Sequence, residues 1–291
     1  MERFAFGGLL GHGAFGEVRS VVDRESGLEL AAKSIERGDV ERTRALVERL
    51  SKRPHRGLVR LDGVIDRHGP EARAWLLMER VRGVDLVTAI RGDLDAQPVE
   101  GARPTLPLAF GMRLQEGGLS AFRALPAARI DRVRRLFSSL ADAISALHDR
   151  GFVHRDLKPS NVLVEADDRV VVIDVGLARA IDEAREEGDA VAGTAAYLPP
   201  EQASDRPIAP AIDVYAMGVL LFEAMTGALP FAGPADDLML RKQTVSASSL
   251  SFVLGDAPED LDALCVAMLR RAPELRPTAR AIVDALTPRA T

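Results

Sequence analysis

The sequence predicts an α+β protein in two parts, a small antiparallel sheet with one helix followed by a larger, mainly helical part. From Phe4 to about Arg80, apolar and polar residues alternate in short runs, which is typical of strands with one buried face. After about Ala128, apolar residues recur with the 3.6-residue period of amphipathic helices. The 291 residues suffice for one large domain or two lobes of one.

The predicted sheet comes from alternating runs that read, in chain order, LLGHGAFGEVRSVVD, LELAAKSI, LVRLDGVID and ARAWLLMERV. The first run contains a glycine-rich turn, so it predicts two strands joined as a hairpin. One helix, from about Asp39 to Lys52, interrupts the strands. Its predicted apolar face consists of Ala45, Leu46, Val47 and Leu50.

The second part begins with IDRVRRLFSSLADAISALHDRG, a long amphipathic helix expected to end at Gly151. Further helices are predicted near 211–226, 259–271 and 277–286. The apolar stretch from Ala216 is interrupted by Glu223 and several glycines, which indicates a buried helix rather than a membrane span. Four prolines and five glycines between about residues 92 and 127 predict a long loop or insertion.

Composition excludes several functional classes. Hydrophobic residues make up 47% and charged residues 28%, which is typical of folded globular proteins. The net charge of -5 is opposite to the basic balance of nucleic-acid or acidic-membrane binders, so neither partner is predicted. The single cysteine, Cys265, excludes an intrachain disulfide, and the first residues lack a secretion signal. Both observations predict a cytoplasmic location.

The glycine-rich stretch GHGAFGEV, from Gly11 to Val18, is a candidate phosphate-binding turn. Gly11, Gly13 and Gly16 would let backbone N–H groups approach phosphate oxygens without interference from Cβ atoms. The same spacing occurs in dinucleotide-binding folds, where a helix follows the glycines. Here a strand follows, which favours the hairpin form of phosphate-binding turn rather than the dinucleotide-binding form. A glycine-rich turn without a ligand is the alternative.

Lysine is scarce in this chain, since only Lys33, Lys52, Lys158 and Lys242 accompany the many arginines. Lys33 lies in the apolar strand LELAAKSI, and an ammonium buried there needs an anion because an unpaired buried charge is costly. Phosphate is the candidate anion. A lysine at the end of a strand that reaches solvent is the alternative.

The stretch VHRDLKPSNVLV, from Val153 to Val164, carries the strongest chemical signal. Asp156 can accept a proton from an attacking hydroxyl, and Lys158 can neutralise charge on a transferring phosphoryl group. Asn161 can ligate a metal ion. Further along, Asp174 lies at the end of the strand VVVID, where its carboxylate suits magnesium.

Together these motifs resemble those of the eukaryotic-like (Hanks-type) protein kinases, particularly bacterial serine/threonine kinases, from about Phe4 to Ala285. GHGAFGEV resembles the glycine-rich loop, Lys33 the ATP-anchoring lysine, HRDLKPSN the catalytic loop and DVG a variant of the magnesium motif. GTAAYLPPE resembles the end of the activation segment and DVYAMGV the central helix of the large lobe. Arg276 corresponds to the arginine that pairs with Glu201.

The resemblance implies a two-lobed protein kinase fold, with a small antiparallel lobe that has one helix and a mainly helical large lobe. One kinase domain would span residues 1–291, with the small lobe and hinge at 4–84. The large lobe would span 85–291 and include an insertion at about 92–127. This insertion is interpreted as a docking surface or as a surface insertion without structure.

The implied reaction transfers the γ-phosphoryl group of ATP to serine or threonine hydroxyls of protein substrates. The implied cofactors are ATP and Mg²⁺, with Mn²⁺ as an alternative. Asp156, Lys158 and Asn161 would be catalytic, and Asn161 and Asp174 would bind the metal. Met78 would be the gatekeeper, Glu79 to Val81 the hinge and Asp85 the ribose ligand. The implied nucleotide-binding residues are Leu10, Gly11, Gly13, Gly16, Val18, Ala31, Lys33, Met78, Glu79, Val81, Asp85, Leu163 and Asp174.

The sequence departs from the family in the glutamate that pairs with the ATP lysine. Glu48 lies 15 residues after Lys33, but Lys52 follows where the family has an apolar residue. Alignment on the apolar face instead places Thr43 at the glutamate's position, and Glu41 is a third option. If none of these reaches Lys33, the protein would need a regulatory partner, or would be a pseudokinase that acts as a nucleotide-binding or partner-binding scaffold.

Two further expectations follow from the resemblance. A small-molecule kinase of the aminoglycoside-phosphotransferase type is disfavoured, because those enzymes typically lack the PPE and RP segments and the lysine of HRDLKPSN. Between Asp174 and Glu201 the only hydroxyls are Thr194 and Tyr197, while carboxylates are abundant. One hypothesis is activity without activation-loop phosphorylation, with Arg155 bound by carboxylates of this segment. A solvated acidic run in a surface loop is the alternative. Additional domains are left open.

Overall fold

A computed structural model describes residues 3–13, 16–67, 73–92, 124–175, 178–181, 195–203, 207–231 and 233–287. The chain divides into two compact units, Met1–Arg82 and Gly83–Thr291.

The first unit is an antiparallel sheet with one helix, as the alternating runs predict. The strands are paired in the order β1-β2-β3-β5-β4. The elements are β1 (Phe4–Gly13), β2 (Gly16–Asp23), β3 (Glu29–Ile35), α1 (Val40–Ser51), β4 (Leu61–Arg67) and β5 (Arg73–Glu79).

The two faces of this sheet have different contents, because successive side chains of a strand point to opposite sides. One face forms a hydrophobic core of Val21, Leu30, Ala32, Trp75 and Leu77. The other face carries the residues that lie between them in sequence. In the strand register, Lys33 is opposite Val18 and Ala31 is opposite Met78. Four residues of the predicted nucleotide site therefore share the face of the sheet opposite to this core.

Helix α1 buries Thr43, Leu46 and Leu50, which follow the three- and four-residue spacing of one helical face. The Thr43 hydroxyl donates a hydrogen bond to the Asp39 carbonyl over 2.8 Å, which satisfies it inside the packed face. The assignment of Ala45 to this face is wrong, because Ala45 is exposed. It precedes Leu46 by one residue, about 100° around the helix, and small size alone does not make a residue buried.

The second unit is mainly helical and contains two short sheets, of order β6-β8-β9 and β10-β7. The elements up to the last strand are β6 (Gly83–Asp85), α2 (Leu86–Arg91), α3 (Ala127–His148), β7 (Phe152–Val153), β8 (Val162–Glu165), β9 (Val170–Val172) and β10 (Arg179–Ala180). The following helices are α4 (Ala211–Thr226), α5 (Ala235–Thr244), α6 (Leu250–Leu254), α7 (Glu259–Met268) and α8 (Ala279–Leu286).

The core of this unit surrounds α4, which is buried along nearly its whole length, as predicted for the apolar stretch from Ala216. Helix α3 packs against α8, and α4 packs against α7. Helix α3 ends at His148, earlier than the predicted Gly151, which instead has a φ of 81° in the turn before β7. In the described part of the chain, every helix is too short or too polar to cross a membrane.

Arginine side chains donate hydrogen bonds to the backbone carbonyls of the last turn of α2. Arg129 Nη1 donates to the carbonyls of Ile90 and Arg91 over 2.7 and 2.8 Å, and Arg132 Nη1 donates to the Ala89 carbonyl over 2.6 Å. Helix C-termini leave such carbonyls without intrahelical partners. Residues 93–123, most of the predicted insertion, lie outside the described residues, so its docking role stays a prediction.

Replacing Leu46 by alanine is expected to lower the free energy of unfolding by about 2 to 5 kcal/mol, because a buried side chain is lost and a cavity is left. The control is Glu48→Ala on the exposed side of the same helix, expected to cost less than about 0.5 kcal/mol. Urea unfolding followed by the fluorescence of Trp75, the only tryptophan, measures both. Equal losses in the two variants would contradict the buried face assigned to α1.

Candidate active site

The predicted catalytic residues lie in the loop between β7 and β8. Both strands are largely buried, and Asp156 and Asn161 are buried with them. The apolar residues on either side fix the ends of the loop, and its polar side chains bind one another. A short 3₁₀ turn at Pro159–Asn161 joins the loop to β8.

The Asp156 carboxylate is held through one of its two oxygens. Its Oδ2 accepts hydrogen bonds from Lys158 Nζ over 2.7 Å and from Asn161 Nδ2 over 2.9 Å. Asn161 Nδ2 also donates to the Asp156 carbonyl over 2.7 Å. Asp156 Oδ1 forms no hydrogen bond with any residue that the structure describes. The three residues predicted as catalytic are therefore in contact, and one carboxylate oxygen can accept a proton.

The loop is anchored by Asp213, a fully buried residue in the first turn of α4. Its Oδ1 accepts from the Arg155 backbone N–H, and its Oδ2 accepts from the His154 backbone N–H, both over 2.8 Å. His148 Nε2 lies 2.9 Å from Oδ2. Burial opposes the ionisation of Asp213, but the hydrogen bond and charge of His148, together with the hydrogen bond from the His154 backbone, favour it, and the pKa of Asp213 is lowered.

Two residues of this region have left-handed backbone conformations. Arg155 has a φ of 72° and Asp174 a φ of 59°, which are uncommon for residues other than glycine. The Asp213 bonds to two consecutive N–H groups stabilise the turn at Arg155. Such conformations persist where surrounding contacts compensate for them, and they are frequent in active sites.

His154 connects the catalytic loop with the chain that leads to Asp174. Its ring is fully buried, with Nδ1 accepting from the Asp156 backbone N–H over 3.3 Å. Its Nε2 then carries the proton and donates to the Ile173 carbonyl over 2.9 Å. The Ile173 N–H in turn donates to the Asn161 carbonyl over 2.9 Å. The residues flanking Asp156 and Asp174 are thus fixed relative to each other.

Asn161 and Asp174 offer the oxygen donors expected of a magnesium site. Because both hydrogen bonds of the Asn161 side chain use Nδ2, its Oδ1 is left without a partner among the described residues. Amide and carboxylate oxygens are the protein ligands that Mg²⁺ prefers. Magnesium takes few of its ligands from proteins and the rest from water and phosphates, so two such residues fit this ion.

The first unit contains most of the predicted nucleotide-binding residues. Leu10 and Gly11 lie on the exposed part of β1, and Gly11 is opposite Val18 in the register. Gly13 pairs with Gly16 where β1 ends and β2 begins. Gly16 has a φ of 113°, and a Cβ atom there would lie 2.2 Å from Ser34 Oγ. This glycine is therefore required by the backbone itself, independently of a phosphate.

The predicted hinge begins at the last residue of β5, and the predicted ribose residue follows it. Met78 is buried within the sheet, while Glu79 and Val81 are partly exposed. In the second unit, Asp85 lies opposite Leu163 and caps α2, since its Oδ1 accepts from the Thr88 N–H over 2.9 Å and its Oδ2 from the Thr88 hydroxyl over 2.6 Å. Sequence reasoning missed this role, although an aspartate just before an apolar helix is a typical N-cap.

The structure also bears on the carboxylate partner of Lys33, which is buried in β3. Glu48 is 70% exposed and its Oε1 accepts from Lys52 Nζ over 2.7 Å. Glu41 is 91% exposed. On the buried face of α1, the position that the apolar alignment assigns to the glutamate is occupied by Thr43.

The pairing of Glu201 with Arg276 is confirmed. The two arginine Nη atoms lie 2.6 and 2.8 Å from the two carboxylate oxygens, in a bidentate arrangement. Both side chains are buried, and the guanidinium carbon lies 4.9 Å from the ring centre of Tyr215. The same guanidinium donates to the carbonyls of Arg270, Ala211 and Arg271. The carboxylates expected to bind Arg155 in the activation segment fall within 182–194, outside the described residues.

Sequence reasoning missed His148 and Lys242 in this unit. His148 ends an amphipathic helix and gave no chemical signal of its own. Lys242 Nζ donates to the carbonyls of Ala195, Ala196 and Leu198. The scarcity of lysine was the signal that could have identified it, since Lys33 and Lys158 were identified partly on that ground.

A five-stranded sheet with one helix, a helical unit, and an aspartate held by a lysine and an asparagine are features of the protein kinase class. The family described as the protein kinase domain matches residues 4–286. The chain belongs to this family.

Several similar proteins are named as serine/threonine-protein kinases. The chain is 32% identical over 244 residues to the "Probable serine/threonine-protein kinase" of Corynebacterium efficiens, covering 80% of this chain and 32% of that protein. It is 30% identical over 244 residues to PknB of Corynebacterium glutamicum, with the same coverage. It is 30% identical over 240 residues to the serine/threonine-protein kinase PknA of Mycobacterium tuberculosis, covering 79% of this chain and 48% of PknA. The chain thus spans about a third to a half of the length of these relatives.

Replacing Arg276 by methionine is expected to cost about 3 to 5 kcal/mol of unfolding free energy, because it leaves the buried Glu201 carboxylate without its cation. The matched control is Arg280→Met, whose partner Asp284 lies 3.3 Å away in an exposed pair, and it is expected to cost less than about 1 kcal/mol. Urea unfolding followed by circular dichroism compares them. Similar costs for both would show that burial does not set the strength of this pair.

Proposed function

We propose that this chain is an ATP-dependent protein serine/threonine kinase. The observation that carries the proposal is the geometry of the Asp156 carboxylate. Its Oδ2 is fixed by Lys158 and Asn161, while its Oδ1 accepts no hydrogen bond from the described residues. Membership of the protein kinase domain family and the names of the relatives support it. A scaffold without turnover would not need this arrangement, so the pseudokinase alternative gains no support.

In the proposed reaction, Asp156 orients the acceptor hydroxyl and takes its proton. The hydroxyl would donate to Oδ1, because Oδ2 already accepts two hydrogen bonds. A carboxylate placed in this way contributes as a general base and as an orienting group. Asn161 fixes the rotation of the carboxylate, and Asp213 fixes the backbone on which it lies.

Lys158 and Lys33 would bind phosphate oxygens. An ammonium has three N–H donors, and Lys158 uses one of them on Asp156. The others can donate to the phosphoryl group as it is transferred, and the positive charge offsets the negative charge gathered there. Lys33, buried on the face of the sheet opposite to its hydrophobic core, would bind the phosphates of ATP.

Asn161 and Asp174 would hold Mg²⁺ through side-chain oxygens, and Mn²⁺ has similar requirements. When bound, such an ion neutralises phosphate charge and orients the triphosphate. The remaining nucleotide contacts are proposals on the same basis. The residues assigned to them are Leu10, Gly11, Gly13, Gly16, Val18, Ala31, Met78, Glu79, Val81, Asp85 and Leu163.

Serine and threonine hydroxyls of proteins are the proposed acceptors. Lys158 in the catalytic loop is typical of serine/threonine kinases, and the names of the relatives agree. Because the chain spans only part of those relatives, the substrate of the whole protein belongs to this proposal, as do a regulatory partner and further domains.

Replacing Asp156 by asparagine is expected to reduce phosphate transfer by about 10²- to 10⁴-fold, because the base is lost while the size of the side chain is kept. Transfer from γ-labelled ATP to the protein itself and to a generic basic protein is measured with magnesium. Asp149→Asn is the control, since Asp149 is an exposed residue that follows α3. The labelled residues should be serine and threonine. ATP binding without transfer by the wild type would favour the pseudokinase.

Replacing Glu48 by glutamine is expected to change transfer by less than about twofold, because Glu48 pairs with Lys52 on an exposed surface. Lys33→Met serves as the comparison and is expected to abolish detectable transfer. Initial rates at saturating and limiting ATP separate binding from turnover. A loss of tenfold or more in Glu48→Gln would show that Glu48 reaches Lys33 during catalysis.

A further inference from the structure

A buried lysine that the proposed reaction does not use lies on α5. Lys242 is almost fully buried, and its ammonium donates to the carbonyls of Ala195, Ala196 and Leu198 over 2.8, 2.8 and 2.7 Å. The ammonium also lies 5.6 Å from the ring centre of Tyr215. Among the described residues no carboxylate pairs with it. Its three donors are therefore matched by three acceptors of a single chain segment.

Burial of the Lys242 ammonium costs free energy, and its hydrogen bonds to residues 195–198 offset part of that cost. An ammonium buried without a carboxylate loses its hydration, and hydrogen bonds to carbonyls replace this only in part. A side chain that stays in contact with water could donate to the same carbonyls at a lower free-energy cost. Residues 195–198 have turn or irregular structure, so their carbonyls have no ladder to join. Lys242 supplies the donors that a helix or sheet would otherwise give.

The segment held by Lys242 and the proposed base line the same narrow crevice. The crevice is bordered by Tyr197, Leu198 and Pro199 on one side and by Arg155, Asp156 and Leu157 on another, with Ile212 and Ala216 of α4 completing it. A protein hydroxyl presented to Asp156 must bring its neighbouring residues to this wall. The position of residues 197–199 therefore affects how an acceptor chain lies beside Asp156.

We propose that Lys242 is a positioning residue for the protein acceptor, acting by holding residues 195–198 in place through its three hydrogen bonds. The proposal rests on the proposed kinase function and deepens it. Lys242 touches neither the acceptor nor ATP in this role. Its removal should therefore weaken the binding of the protein acceptor more than the binding of ATP or the rate of transfer once the acceptor is bound.

The charge of Lys242 makes the proposal testable by pH, because burial lowers the pKa of Lys242 to about 7. Below this pH the ammonium has three donors for three carbonyls, and above it the amine has only two. Burial raises the pKa of the neighbouring Tyr215, so that phenol stays protonated. The charged groups on and beside α5 include Asp236, Asp237 and Arg241 of the same helix. They also include Glu201, bound by Arg276, and Arg271, which donates to the Gln243 carbonyl.

The first test compares Lys242→Met with Lys52→Met, the same substitution at an exposed lysine. Amide hydrogen exchange is measured on the full chain for residues 195–203. Lys242→Met is expected to exchange at least tenfold faster there, while Lys52→Met matches the wild type. Unchanged exchange in Lys242→Met would overturn the proposal. If that variant does not fold, Lys242→Gln, which keeps an amide donor, is measured in its place with the same expectation.

The second test separates KM for a protein acceptor from KM for ATP and from kcat. Lys242→Met is expected to raise the acceptor KM about tenfold while changing the other two constants less than twofold. In the wild type the acceptor KM should rise between pH 6 and 8.5, and this rise should vanish in the variant. Equal losses in all three constants, or a pH dependence that persists in Lys242→Met, would overturn the positioning role.

The two proposals fail in distinguishable ways. A wild-type protein that binds ATP but transfers no phosphate would overturn the kinase function and the acceptor role together. Hydrogen exchange would still decide whether Lys242 holds residues 195–198. Active wild-type protein with an unchanged acceptor KM in Lys242→Met would overturn only the positioning role.

Discussion

The active site depends on one buried carboxylate. Asp213 accepts two consecutive backbone N–H groups, at His154 and Arg155, and a third hydrogen from His148. Two adjacent N–H groups can converge on one carboxylate only if the chain turns sharply between them, and Arg155 does so with a left-handed φ. That turn places Asp156 beside Lys158 and Asn161. Without Asp213, two buried N–H groups would lose their acceptor, at about 1 to 3 kcal/mol each.

A similar use of side chains to hold the backbone recurs at several other places in the described part of the second unit. Cationic side chains donate to backbone carbonyls: Lys242 to the segment before the 3₁₀ turn at Pro200–Ala203, Arg276 to three loop carbonyls and Arg129 to the end of α2. Arginine suits this role because its planar fork has five donors and can reach two carbonyls at once. The abundance of arginine is therefore partly structural, whereas Lys158 and Lys242 each hold a compact ammonium against close oxygen acceptors.

Sequence periodicity predicted the sheet with one helix and the mainly helical second part, and the motif HRDLKPSN identified three side chains that lie in contact in the loop after β7. Alternation predicted the first sheet because one of its faces is a hydrophobic core, and the spacing within HRDLKPSN predicted which side chains meet. The limits have physical causes. Ala45 has no strong preference for either environment, so a pattern count misplaced it. Asp85 can cap a helix or bind a ligand with the same oxygens, and the contact of His148 with Asp213 joins residues 65 positions apart.

The contact between Arg129 and the carbonyl of Arg91 affects how freely the connection between α2 and α3 can vary in length. It holds the end of α2 beside the first turn of α3, although Arg91 and Arg129 are 38 residues apart in sequence. The entropic cost of joining two fixed points by a flexible chain grows only with the logarithm of the chain's length. The connection between α2 and α3 can therefore be lengthened, shortened or exchanged at little thermodynamic cost, while the contact between Arg129 and Arg91 keeps the two helices together.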